Sequence, residues 1–234
     1  VSRFQAWLEI LLVPLLFGLS GVLVSLLAAG FPRLLPMPVL LLAQGGVVLA
    51  GLTVLLARRG QHWRDVGLKP FVARDPLRAL VVFASCAAAN LVLTLSIYLT
   101  APDRVETHVQ RLESIAALLA EERSMTAVAA TMFLVGAYEE LSARGFLLAR
   151  CRAALGGVWP PVLLSSLVFG LGHLYQGVLG VLQTAVIGVI LALYTVHWGT
   201  LWPAIIAHAL LNTLSIAALE GMRSQQAALT GVGG

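Results

Sequence analysis

Long apolar runs dominate this chain of 234 residues, and the polar stretches between them are short. Runs of about 20 apolar residues, the length at which an α-helix crosses bilayer hydrocarbon, occur at 8–30, 34–57, 79–101, 126–149, 158–177, 180–199 and 201–219. The pattern predicts an all-α polytopic membrane bundle of about seven transmembrane helices, or eight if one run is split at its glycines. One integral membrane domain accommodates them all. Within it, 1–101 reads as accessory spans, 102–125 as an amphipathic link, 126–219 as a four-helix core and 221–234 as a disordered tail, polar and then glycine-rich. The first run lacks cleavage-site features and reads as a retained span, not a signal peptide. In the link, Val105, Val109, Leu112, Ala116 and Leu119 recur at three- and four-residue steps. That stripe predicts an interfacial helix, a connector on the headgroups or, alternatively, a lid or substrate guide.

Composition strengthens the membrane reading. Hydrophobic residues make up 59% and charged residues 11%, with a mean hydropathy of +0.91, whereas a soluble domain carries about 25% charged residues. The placement of the cations says more than the net charge of +4. Arg58, Arg59, Arg64, Lys69, Arg74 and Arg78 crowd the link after the second run, and Arg150 and Arg152 follow the fourth. Both links are therefore expected on the cytoplasmic side, with the N-terminus there too. The link with Asp103, Glu106, Glu113, Glu121 and Glu122 against Arg104, Arg111 and Arg123 suits the opposite face. Trp7, Trp63, Trp159, Trp198 and Trp202 fall near expected cytoplasmic ends, as interfacial indoles do. No aromatic-interleaved binding motif accompanies the basic links, which argues against nucleic acid as a partner. Cys86 and Cys151, the two cysteines, read as small apolar fillers. Richness in Arg, Ala, Gly and Leu suits a GC-rich bacterial genome and hence a bacterial cytoplasmic membrane.

Against this background the stretch Tyr138-Glu139-Glu140-Leu141-Ser142-Ala143-Arg144-Gly145 stands out, because it lies inside an apolar run. Each charge at mid-bilayer costs at least ~2.5 kcal/mol. Glu140 and Arg144, four apart, can pair on one helix face. Glu139 lies about 100° around the helix and needs another partner. Later runs offer candidates at the same four-residue step: Phe169 with His173, and His208 with Asn212. A lone intramembrane histidine most simply joins two helices by a hydrogen bond, but two histidines, an amide and a carboxylate pair on three runs point to a site. Counting about 1.5 Å per residue puts Glu139 and His208 at a common depth and His173 about a turn deeper. His62, His108 and His197 read as ordinary surface or interfacial residues.

These three motifs, in this order and each on its own run, resemble those of the CPBP family of CAAX proteases and bacteriocin-processing enzymes, whose eukaryotic relatives include the Rce1-type endopeptidase. The resemblance covers residues 126–216. It departs at Ala143, where family members often carry an aromatic residue before the arginine. The Trp63-Arg64-Asp65-Val66-Gly67-Leu68 stretch resembles, more weakly, a feature of the family's cytoplasmic link. The resemblance implies an intramembrane endopeptidase in which Glu139 and His173 hold and deprotonate a water. His208 and Asn212 would bind the oxyanion, Glu140 and Arg144 would orient the site, and Phe169 would support it. It favours a metal-free, glutamate-activated water, although Glu139, His173 and His208 would also make a three-ligand zinc set. Substrates would be membrane-associated proteins or peptides, C-terminal anchor segments among them. The competing classes are a proton-coupled transporter, since intramembrane Glu, His and Arg also build proton relays, and a non-catalytic scaffold or immunity protein.

Overall fold

The computed structural model describes residues 2–30, 36–120 and 124–230. It is all-α, with no strand among the described residues. The helices are α1 (Arg3–Gly30), α2 (Met37–Ala57), α3 (Asp75–Tyr98), α4 (Pro102–Ala120), α5 (Met125–Glu140), α6 (Leu148–Leu155), α7 (Trp159–Leu171), α8 (Gly177–Trp198) and α9 (Trp202–Thr230). Five helical segments are long and apolar enough to cross a membrane: α1, α2, α3, Leu174–Trp198, and α9 as far as Gln226. The sequence run at 126–149 lies on α5, a wide π-helical segment (Leu141–Leu147) and α6, which follow one another without a break. The run at 158–177 is shorter than expected, since α7 has 13 residues and ends at Leu171.

The α5–α6 helix forms the centre of the bundle. Ser142 through Leu148 are all buried, in contrast to α1, whose Leu11, Leu15, Leu19 and Leu26 point outward as lipid-facing side chains do. Since lipid tails are as apolar as leucine, helix association here depends on close backbone approach at small residues. A Cβ at Gly136 would stand 3.2 Å from the Ala209 amide, which fixes how near α5 lies to α9. At Gly170 a Cβ would stand 2.8 Å from the Val181 carbonyl oxygen, so α7 and α8 touch at backbone distance. Both approaches bear on the site, because each brings a motif-bearing helix against a neighbour.

Several expectations change. The tail is helical as far as Thr230, where Arg223 pairs with Glu220 at 2.7 Å; its Arg, Gln and Ala residues favour helix, so α9 continues past the apolar run. Residues 231–234 lie outside the described residues, as do Glu121, Glu122 and Arg123 of the acidic link. The α4 stripe faces the bundle: Val105, Ala116 and Leu119 are buried, and the stripe packs with Val128, Met132 and Ile216 of α5 and α9. His108, expected at the surface, is 5% exposed, with Nδ1 3.2 Å from the Gln176 carbonyl oxygen; it shares the inward face with Val105 and Leu112. His62 and His197 are exposed.

A buried ionic cluster at the α1–α6 contact has no counterpart in the sequence reading. Glu9, 2% exposed, accepts from Arg59 Nε at 2.9 Å and is bridged by Arg150 Nε. Arg150 also donates to Gln61 at 2.9 Å and lies over the Phe146 ring at 4.4 Å. Arg59 and Arg150, read from sequence as markers of topology, are thus also internal struts.

Candidate active site

Six of the singled-out side chains, Glu139, Glu140, Arg144, Phe169, His173 and His208, converge where α5, α7 and α9 meet. Glu139 and Glu140 end α5, directly before the chain widens into the π-helical segment. Such segments occur often at functional sites, because one extra residue per turn re-aims the side chains on either side. Glu140 is fully buried and faces into the bundle. Its Oε1 accepts from Arg144 Nη1 at 2.6 Å and lies 2.8 Å from His208 Nδ1. The expected pairing of Glu140 with Arg144 is present, and His208 from α9 joins it.

Arg144 has a second partner. Its guanidinium carbon stands 4.0 Å from the centroid of the Phe169 ring, a cation–π contact made by a buried side chain. Nη2 has no hydrogen-bond partner among the described residues. Phe169 also approaches His173 and His208, with ring centroids 4.8 and 6.0 Å away. The phenylalanine is therefore a packing wedge between the arginine and both imidazoles.

Glu139 faces the other way around the helix, as its 100° offset requires. Its Oε2 lies 3.5 Å from His208 Nε2 and 3.9 Å from His173 Nε2, and it has no hydrogen-bond partner among the described residues. Both separations exceed a direct hydrogen bond of about 2.7–3.2 Å. The three groups are neighbours with a gap between them. His173 reaches this point from the turn after α7 and not from a helix face: α7 stops at Leu171, and the ring turns back so that Nδ1 sits 2.9 Å from the Phe169 carbonyl oxygen. This removes the one-turn mismatch in depth that helical counting predicts.

The nitrogen assignments follow from the acceptors. A carbonyl oxygen can only accept, so His173 Nδ1 carries a proton, and Nε2 is the nitrogen turned toward Glu139. Against a carboxylate, His208 Nδ1 likewise donates to Glu140. Two imidazoles thus have one nitrogen tied and the other directed at the same carboxylate. Asn212, one turn along α9 from His208, is partly buried and makes no hydrogen bond among the described residues. It is adjacent in sequence register but does not join the network.

Metal ligation was the alternative chemistry for Glu139, His173 and His208. The tied Nδ1 atoms are the orientation that outer partners impose on metal-binding histidines. Among the described residues, however, no group of three or more His, Cys, Asp or Glu side chains is placed to hold a metal ion.

One neighbour was missed. Tyr175, in a short 3₁₀ turn (Leu174–Gln176), places its ring 5.8 Å from that of His173 and is largely exposed. The signal in the sequence was Tyr175-Gln176-Gly177, which interrupts an apolar run immediately after the histidine.

No curated protein and no solved structure matches the chain. Residues 121–214, which contain every member of the cluster, match the family model described as type II CAAX prenyl endopeptidase Rce1-like. This part of the chain is thus similar to the CPBP/CAAX proteases, and the match supports, in general terms, a CAAX-type intramembrane endopeptidase.

Proposed function

We propose that the protein hydrolyses a peptide bond of a membrane-associated protein or peptide with a water activated by Glu139 and His173. The observation that carries this reading is Glu139 Oε2 standing between two imidazole Nε2 atoms, at 3.5 and 3.9 Å. A water in that gap donates one hydrogen to the carboxylate and the other to the His173 lone pair. As its oxygen attacks the scissile carbonyl carbon, the proton passes to this pair and from it to the departing amine.

The developing oxyanion needs donors. His208 supplies one from Nε2 when the ring carries both protons, with Glu140 as counter-charge at Nδ1. Asn212 supplies the second from its amide, which has no other partner among the described residues. Glu140 and Arg144 act as positioning residues, since the ion pair holds both the helix end that presents Glu139 and the ring of His208. In this reading the chain resides in a bacterial cytoplasmic membrane with its N-terminus in the cytoplasm, and C-terminal anchor segments are among its substrates.

The test is comparative membrane proteomics of cells with wild-type protein and cells with Glu139→Gln, scored for new peptide termini. Termini present only with wild type are expected, and His173→Ala should abolish the same set. Identical termini with both variants, in protein that is folded and inserted, would exclude the reading. Loss of a general base lowers rates by about 10²–10⁴-fold, well within the range of the assay.

A further inference from the structure

A cavity of about 210 Å³ opens beside the central helix, where the link after α2 meets the end of α8. Its lining includes Arg64, Lys69 and Arg152 at the mouth, and Thr195 deeper in. None of the three cations has an ion-pair partner among the described residues. The carboxylate at the rim, Asp65, accepts the His62 backbone N–H at 2.7 Å and so caps its own 3₁₀ turn (Trp63–Val66). Arg144 also borders the cavity but is neutralised by Glu140 at 2.6 Å, so the three unpaired cations against Asp65 leave the cavity cationic by two.

Thr195 is 8% exposed, and its Oγ1 has no hydrogen-bond partner among the described residues. A helical threonine hydroxyl usually bonds back to a carbonyl one turn earlier, as Thr53 and Thr213 do here. A buried hydroxyl without a partner costs about 1–3 kcal/mol, and Thr195 borders the cavity, where a bound group could satisfy it after a small side-chain movement.

The walls are fixed in place. Gly67 (φ +107°) and Gly199 (φ +65°) both take left-handed backbone conformations that side chains disfavour. A Cβ at Gly199 would stand 3.3 Å from Lys69 Nζ. The Leu201 N–H donates to the Gly67 carbonyl at 3.0 Å and Trp202 Nε1 to the Lys69 carbonyl at 2.8 Å. The basic link is thereby stitched to the turn between α8 and α9, and Lys69 is preorganised at the wall. Cations that serve only to orient a membrane protein need neither a cavity nor a buried open hydroxyl.

We propose that this cavity binds a phosphate group. Pockets for drug-sized ligands measure about 300–1,000 Å³; this one is smaller and suits a tetrahedral oxyanion. Two guanidinium groups and an ammonium supply charge-assisted donors, and the Thr195 hydroxyl supplies a neutral one. The phosphate can come from an anionic lipid headgroup or from a free phosphate, since both present the same oxygens. The Trp63-Arg64-Asp65-Val66-Gly67-Leu68 stretch then has a role of its own, its Arg64, Asp65, Val66 and Gly67 forming one wall of the site.

The test uses the full chain in an uncharged detergent, with native mass spectrometry as the readout and phosphatidic acid and diacylglycerol of the same acyl chains as probes. Wild type should retain phosphatidic acid in preference to diacylglycerol. The double substitution Lys69→Gln with Arg152→Gln should weaken that retention by roughly tenfold or more, while the charge-matched double Arg58→Gln with Arg74→Gln, outside the cavity, should not. Competition by millimolar inorganic phosphate identifies the bare oxyanion as sufficient; retention of phosphatidic acid in its presence identifies a lipid phosphate as the ligand. Equal retention of the two lipids, or equal loss in both double variants, overturns the proposal. Thermal unfolding of each variant establishes that it is folded.

Discussion

Glu140 and His208 are 68 residues apart in the chain, yet the carboxylate Oε1 and the imidazole Nδ1 lie 2.8 Å apart, on helices held together at Gly136 and Ala209. The same oxygen accepts from Arg144. One buried atom therefore ties α5, the π-helical segment and α9 together, and its loss has consequences for both stability and chemistry.

Glu140→Gln removes the charge that offsets Arg144 and leaves a buried guanidinium with the Phe169 ring as its remaining contact. Breaking a buried pair from one side costs about 3–5 kcal/mol. We expect a clear drop in thermal unfolding temperature in detergent. Combining it with Arg144→Met should recover most of that loss without restoring cleavage.

His208→Gln keeps a polar side chain of similar reach but cannot hold a positive charge against Glu140. Proteolysis should fall by about 10²-fold or more, in line with loss of one oxyanion donor, with a smaller shift in unfolding temperature than Glu140→Gln. A turnover assay and a thermal melt on the same preparation separate the two effects.

Arg150→Met tests the second buried cluster. Glu9 would keep Arg59 as its one partner, so the α1–α6 contact should be destabilised by less than the roughly 3–5 kcal/mol that a fully unpaired buried charge costs. Adding Glu9→Gln should return much of the stability. Because this cluster is not part of the Glu139 site, the double variant should remain proteolytically active once folded.

Gly170→Leu places a side chain where a Cβ already meets the Val181 carbonyl oxygen at 2.8 Å. Overpacking of this kind costs about 1–3 kcal/mol, and α7 must move away from α8, carrying Phe169 and His173 with it. Activity should fall together with stability, whereas Glu139→Gln should lower activity at unchanged stability.

Metal dependence is open to direct measurement. With a glutamate-activated water, purified active protein should retain its turnover after chelation and dialysis, with substoichiometric zinc by elemental analysis. Stoichiometric zinc whose removal stops cleavage would reassign Glu139, His173 and His208 as ligands.

The core of the site was legible because its letters violate their surroundings. Carboxylates and an arginine within an apolar run have few explanations, and the four-residue steps of Glu140–Arg144 and His208–Asn212 fix which helix faces carry them. The identity of the Glu140–His208 pair was not legible, since two acidic residues competed for two histidines and only the crossing of α5 with α9 assigns them. Helix ends were harder still. Apolar letters run on past Leu171, so nothing in hydropathy shows α7 stopping there or His173 turning back. The burial of His108 and of Glu9 depends on which neighbour each helix finds, a property of packing that local periodicity does not contain. The amphipathic stripe of α4 was correctly patterned, but a stripe alone does not say whether it meets lipid or protein.

The wide turn from Leu141 to Leu147 sets the phase of everything after it. An inserted residue rotates the downstream helix by about 100° relative to a regular one. With it, the carboxylates above face α7 and α9 while Arg150 below faces Glu9 on α1. A shortened version of this helix, with identical residues on both sides and one fewer between them, would satisfy one set of partners and turn the other toward the wrong neighbours.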